Sequence, residues 1–259
     1  MNEDNTRPVP RANRLLGSRD PSPLIVTNPG GSSPYLLLGD HAGRAIPHSL
    51  GGLGLPRDAF DLHIAWDIGV EALGLRLAKA LDACFIRQAY SRLVIDCNRR
   101  PDAADAIPAV SDGVAIPGNV GLNPPDVAAR LQDIWQPYQD GVAGLLDERE
   151  RLGRKTLLVA LHSFTPVMQG ANRPWRYGVL HRGDSALSAR VLTLLRAEFG
   201  EQVGDNQPYA MDGTDATIPL HADPRGLDYL ELEIRQDLIA REDGQDAVAG
   251  LLGRLLGSV

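Results

Sequence analysis

"TLLVALHSFTP" (156–166) runs six residues of nearly pure strand former into a histidine, a serine and a Thr-Pro stop. A short apolar run bounded by turn residues is the pattern of a strand buried on both faces. Such a strand would be expected to end on Gly, Asn or Asp. This one ends on His162, where the chain leaves the sheet, so His162 fills space, moves a proton or holds a metal.

Working outward, the same alternation recurs. "SPYLLLGDHAG" (33–43) is an apolar run broken by a loop carrying His41, and "DLHIAWDIGVEALGLRLAKALDA" (61–83) has the apolar spacing of an amphipathic helix. "CFIRQAYSRLVID" (84–96) reads as one or two strands ending at Asp96, followed by a long Pro/Gly/Asp loop. Loops beyond about a dozen residues in a compact domain are usually functional. A helix kinked at Pro137 and closed by Gly153 leads into the opening strand. After it come a loop, a strand at "WRYGVLHRG" (175–183), a helix capped by Ser185 and ended by Gly200, and a loop to about residue 226. The final strand, "LDYLELEIRQDLI" (227–239), alternates Leu230, Leu232 and Ile234 against Glu231, Glu233 and Arg235, and a helix closes the chain. Strands alternating with helices predict an α/β fold with a largely parallel sheet. Residues 1–22 are polar and aperiodic and predict a flexible arm; residues 23–259 predict one domain.

Bulk composition narrows the function. With 259 residues, 43% hydrophobic and 23% charged, the chain has enough apolar material for a proper core. A formal charge of −7 argues against a nucleic-acid binder, which shows a basic excess. Two cysteines, Cys84 and Cys97, without a C-x-x-C exclude a disulfide framework and a thiolate zinc cluster, so any metal is held by histidine and carboxylate. No signal-like or membrane-spanning segment is present, and a cytoplasmic protein without a membrane partner is expected.

In a parallel sheet, ligands sit outside the carboxyl ends of the strands, which puts His41, Asp96 and His162 on one edge. Catalytic zinc sites commonly take two histidines and a carboxylate and keep a position for water, whose pKa falls to about 7. His41 and His162 supply the imidazoles, Asp67 or Glu71 the carboxylate, and Glu231 or Glu233 a separate proton acceptor. Each has a plainer reading. His41 would cap a turn, His162 would bond backbone in the core, Asp67 would cap the helix, and Arg92 and Arg99 would pair with Asp96. His48, His63, His181 and His221 are expected at the surface or behind the ligands.

The segments "GDHAGRAIP" (39–47), "AWDIGVEALGLRLAKAL" (65–81), "SRLVIDCNRRPD" (91–102), "LHSFTPVMQG" (161–170), "RPWRYGVLHRGD" (173–184), "GDNQPY" (204–209) and "LEIRQDLI" (232–239) resemble, in order, those of the N-formylglutamate amidohydrolase family. The resemblance spans roughly 35–240 and is closest to the branch assigned by similarity. It departs at Asp40 and Ala42, where many members have Pro and Ser. It implies a three-layer, mostly parallel mixed sheet flanked by helices, like that of the zinc exopeptidases. It further implies metal-dependent hydrolysis of an N-acyl amino acid, N-formyl-L-glutamate giving formate and L-glutamate. By the same resemblance His41, Asp67 and His162 hold Zn2+ (Co2+ or Mn2+ being the alternatives), Glu71 is the runner-up to Asp67, and Glu233 is the general base. Arginine binds carboxylate bidentately, so Arg92, Asn98 and Arg99 are candidates to cradle the substrate, with Arg173 at its far end. Ser163 is expected to support the oxyanion or the loop. A small-molecule substrate and a monomer or homodimer are expected. The competing functions are an amidase or carboxypeptidase for another acylated amino acid, small peptide or cell-wall amide, and a non-catalytic binding module.

Overall fold

The structure, a computed structural model, describes residues 14–259; residues 1–13, most of the expected arm, lie outside the described residues. The main sheet has seven strands: β1 (Leu24–Thr27), β2 (Tyr35–Gly39), β3 (Cys84–Gln88), β6 (Leu157–Phe164), β9 (Tyr177–Leu180), β10 (Val203–Asp205) and β11 (Asp228–Arg235). Two-residue strands β4 (Val110–Ser111) and β5 (Val114–Ala115), and β7 (Val167–Met168) and β8 (Ala171–Asn172), form two small hairpins inside the expected loops. The sheet order is β1-β3-β2-β6-β11-β9-β10. The four central strands β3, β2, β6 and β11 are parallel. Strand β1 is antiparallel to β3, and β9 with β10 runs against β11. This is the mostly parallel mixed sheet expected.

Side-chain alternation separates two cores. Leu157, Val159 and Leu161 of β6 and Leu230, Leu232 and Ile234 of β11 face helices α1 (Val70–Leu81), α4 (Ala186–Phe199) and α6 (Glu242–Leu256). The other face of β6 and β11 carries Leu158, Ala160 and Tyr229 and meets long loops. With those loops come α2 (Pro124–Arg130), α3 (Gln136–Arg151) and α5 (Thr217–His221). Among the described residues no helix is long and apolar enough to cross a membrane.

Three local expectations change. The amphipathic stretch 61–83 is helical only from Val70, because Gly69 takes φ +86° and the segment before it is tied back, Asp67 N donating to His41 O at 2.8 Å. Strand β3 stops at Gln88, and residues 91–100 turn repeatedly rather than continuing to Asp96. The disturbance at Pro137 is a widened turn, Leu131–Trp135, with π-type bonding. The proline has no N–H and its ring crowds the carbonyl four residues back, so the ladder opens one residue wider. Residues 14–22 lie on the body: the Leu15 and Leu16 amides donate to Asp133 Oδ2, and Tyr90 Oη donates to Pro21 O at 2.6 Å.

Candidate functional site

Strand β2 ends at Gly39, so Asp40 and His41 emerge at the carboxyl edge of the sheet beside the end of β6. His162 of β6 and Glu233 of β11 are register partners, and Glu231 lies two residues back on the same face of β11. A glycine, Gly178 of β9, stands opposite Glu233 on the other side. A side chain there would start 2.0 Å from the Gln207 carbonyl, so the close approach of this loop to Glu233 needs that glycine. Glu231 and Glu233 are 3% and 6% exposed. The alternation that would ordinarily mark a solvated strand face marks a buried acidic one here.

His41, Asp67 and His162 are buried together, with one donor atom from each within 4.8 Å of the others. Asp67 Oδ2 lies 3.6 Å from His41 Nδ1 and 3.1 Å from His162 Nδ1. The far nitrogens each face another carboxylate: His41 Nε2 is 2.6 Å from Asp96 Oδ1, and His162 Nε2 is 3.7 Å from Asp40 Oδ2. Buried yet without hydrogen-bond partners are His41 Nδ1, His162 Nε2 and one oxygen each of Glu231 and Glu233. Two imidazoles sharing one carboxylate form a buried group that could hold a metal ion. The runner-up carboxylate, Glu71, stands apart from this group: it pairs with Arg87 at 2.9 Å and does not line the cavity.

The electrostatics follow from burial and proximity. Burial would lower the His162 pKa, but the hydrogen bond and charge of Asp67 outweigh it and push it up to about 10. His41 is raised for the same reason, burial and Arg92 opposing, Asp96 and Asp67 prevailing. Glu231 and Glu233 are raised to about 7, chiefly by desolvation.

A cavity of about 310 Å³ opens over these groups, lined also by Arg92, Asn98, Arg99 and Ser163. Arg92 Nη2 donates to Asp96 Oδ2 at 2.7 Å and Nη1 lies 3.5 Å from Asp67 Oδ1. Arg99 pairs with Asp215 and with Asp105, not with Asp96. Its backbone is fixed because Asn98 Oδ1 accepts from Thr217 N at 3.0 Å and Trp135 Nε1 donates to Arg99 O at 3.0 Å. Ser163 Oγ donates to Ile68 O at 3.0 Å, which braces the loop and engages the hydroxyl proton. Arg173 stands one side chain outside the lining: it donates to Tyr209 Oη at 2.8 Å, lies over that ring at 4.6 Å and carries no carboxylate partner among the described residues.

His63 sits in the turn before α1, 3.1 Å from Asp112 of the β4–β5 hairpin. His221 is buried, not superficial, with Nε2 2.7 Å from Gln139 Oε1. Asp215, Asp105, Asp112 and Tyr209 line the cavity without having been singled out, since nothing in local pattern links loops a hundred residues apart. A larger cleft, about 1220 Å³, lies at the opposite end of β6 and β11. It holds ion pairs such as Arg182–Asp223 and, among the described residues, no group of side chains that could hold a metal ion, unlike the smaller cavity.

Residues 33–240 match the family model described as N-formylglutamate amidohydrolase. Among solved structures, the chain is similar to a gene product of Agrobacterium tumefaciens, at 38% identity and TM-score 0.90 over 95% of this chain and 97% of that one. It is also similar to the N-formylglutamate amidohydrolase of Ralstonia eutropha JMP134, at 18% identity and TM-score 0.62 over 90% and 95% of the two chains. At that identity the likeness speaks for the fold alone. No curated protein matches the chain.

Proposed function

The chain belongs to the N-formylglutamate amidohydrolase family, and on that premise we propose that it hydrolyses N-acyl amino acids with a divalent metal ion held by His41, Asp67 and His162. N-formyl-L-glutamate, giving formate and L-glutamate, is the first substrate, and zinc the first metal, with cobalt or manganese as alternatives. We take residues 23–259 as one catalytic domain working in the cytoplasm, as a monomer or homodimer.

An ion at this site supplies Lewis-acid polarisation of the amide carbonyl and acidifies a water. The remaining work falls to side chains. Glu233, in register with His162 and held near neutrality by burial, takes the water's proton on its unpartnered oxygen and returns it to the departing amine. Arg99, with its backbone anchored through Asn98, presents a guanidinium to the substrate carboxylate, and Arg92 faces the reacting carbonyl from beside Asp67. Arg173 takes the distal carboxylate at the mouth.

The observation that carries this reading is the buried His41–Asp67–His162 group with Glu233 beside His162 across β6 and β11. The test is elemental analysis together with turnover of N-formyl-L-glutamate. His162→Ala should retain no ion. Glu233→Gln should retain it while losing about 10²–10⁴-fold in kcat. A metal-stripped wild type as active as the loaded one would refute the mechanism.

One observation favours a second reading. Arg92 and Arg99 each already hold carboxylates, which leaves room for a substrate with a single carboxylate: another acylated amino acid, a small peptide or a cell-wall amide. A panel of zinc-supplied N-acyl substrates separates the two.

A further inference from the structure

We infer that Asp40 is a positioning residue that fixes the tautomer and orientation of His162 for ion binding, an inference that rests on the metal site proposed above. Asp40 is 1% exposed. Its Oδ1 accepts from Tyr138 Oη of α3 at 2.6 Å, and its Oδ2 accepts from Thr217 Oγ1 of α5 at 2.8 Å. No guanidinium or ammonium pairs with it among the described residues. A buried carboxylate held only by two hydroxyls is costly, and an amide of the same shape would brace α3 and α5 with less penalty. The group that gives the negative charge a use is His162 Nε2, 3.7 Å away, buried and without a hydrogen-bond partner.

The parallel with His41 strengthens the assignment. Both rings turn Nδ1 toward Asp67, and both turn Nε2 toward a carboxylate, Asp96 for His41 and Asp40 for His162. A carboxylate behind an imidazole keeps the proton on the far nitrogen, leaves the near lone pair for the metal and raises its basicity. The 3.7 Å separation exceeds a hydrogen bond. An ion on His162 Nδ1 would take the place of the Asp67 contact and would leave Nε2 free to donate to Asp40. Tyr138 and Thr217 serve to keep Asp40 aimed, so α3 and α5 reach the site through this one side chain. The two rings differ in their backing: Asp96 also pairs with Arg92, whereas no arginine or lysine pairs with Asp40 among the described residues.

The test is zinc affinity of the full chain, measured by chelator competition, with denaturation curves and imidazole ¹⁵N–¹H correlation spectra of the zinc-loaded protein. Zinc-loaded wild type should show His162 protonated on Nε2. Asp40→Asn should unfold cooperatively yet bind zinc about 10–100-fold more weakly. Tyr138→Phe and Thr217→Val keep the charge, so they should lower stability with a smaller change in affinity. Wild type that binds no zinc overturns the proposed function and this inference together. Zinc bound with His162 ligating through Nε2, a result needing no variant, or Asp40→Asn with wild-type affinity, overturns the role of Asp40 alone.

Discussion

Arg92, Arg99 and Arg173 are one residue type in three electrostatic situations. Arg92 is spoken for by Asp96 and Asp67, and Arg99 by Asp215 and Asp105, while Arg173 is held by a phenol hydroxyl and the Met168 sulfur. An arginine without a carboxylate keeps its full charge for a ligand. Arg173→Ala should therefore raise KM for N-formyl-L-glutamate about tenfold or more with kcat little changed. The same variant should leave an N-formyl amino acid with an apolar side chain unaffected, and steady-state kinetics on the two substrates provide the check. At this scale the plain readings also find their places. Ser163 is a brace, and Asp96 supports both His41 and Arg92, its acidity strengthened well beyond the usual range because the Arg92 and His41 charges outweigh its burial.

Helix α1 and strand β3 illustrate how an element fixes the site from behind. Gly74 packs onto Phe85, whose ring is fully buried, and an added Cβ would lie 2.3 Å from Phe85 Cζ. Alanine is worth about 1 kcal/mol more than glycine in a helix interior. The ring cannot retreat into a close-packed core, so overpacking prevails, and Gly74→Ala should lose about 1–3 kcal/mol in urea denaturation. The turn before α1 depends on Gly69 in the same way: a Cβ would meet the Ile239 carbonyl at 2.2 Å and φ is +86°. Gly69→Ala should displace Asp67 and so weaken zinc binding as well as stability, which chelator competition would register.

Across the whole molecule, stability and pH are linked through a histidine remote from catalysis. Burial holds His221 neutral, its pKa lowered to about 4 from 6.5. The unfolded chain therefore binds more protons between those values, so the contribution is complete above pH 6.5 and is lost as pH falls through 4. The stability difference between wild type and His221→Gln should shrink by about 3 kcal/mol from pH 7 to pH 4, as measured by chemical denaturation. Bound ion should act on the same scale of the molecule: at a thousand times its Kd, zinc should stabilise the fold by about 4 kcal/mol, seen as a rise in Tm that a chelator reverses.

The sequence by itself determined the sheet and its helices, because strand and helix periodicity are local properties of the chain. Apolar runs such as 157–161 and the glycines and prolines between them define the elements and their order. It also placed His41 and His162 at the carboxyl edge of the sheet, which follows from that order, and Glu231 and Glu233 on one face of the last strand. Only the tertiary structure sets Asp67, and not Glu71, beside the two histidines, although the two are four residues apart in a stretch that reads as one helix: α1 starts only after Gly69, and Arg87 pairs with the glutamate. The partners Asp215 for Arg99, Asp40 for His162 and Gln139 for His221 likewise come from loops and helices 82 to 122 residues away, taking Asp215 at 116, Asp40 at 122 and Gln139 at 82. Side-chain pairing across such spans is set by how buried charge must be matched when the layers close, and no pattern within a short window carries that information.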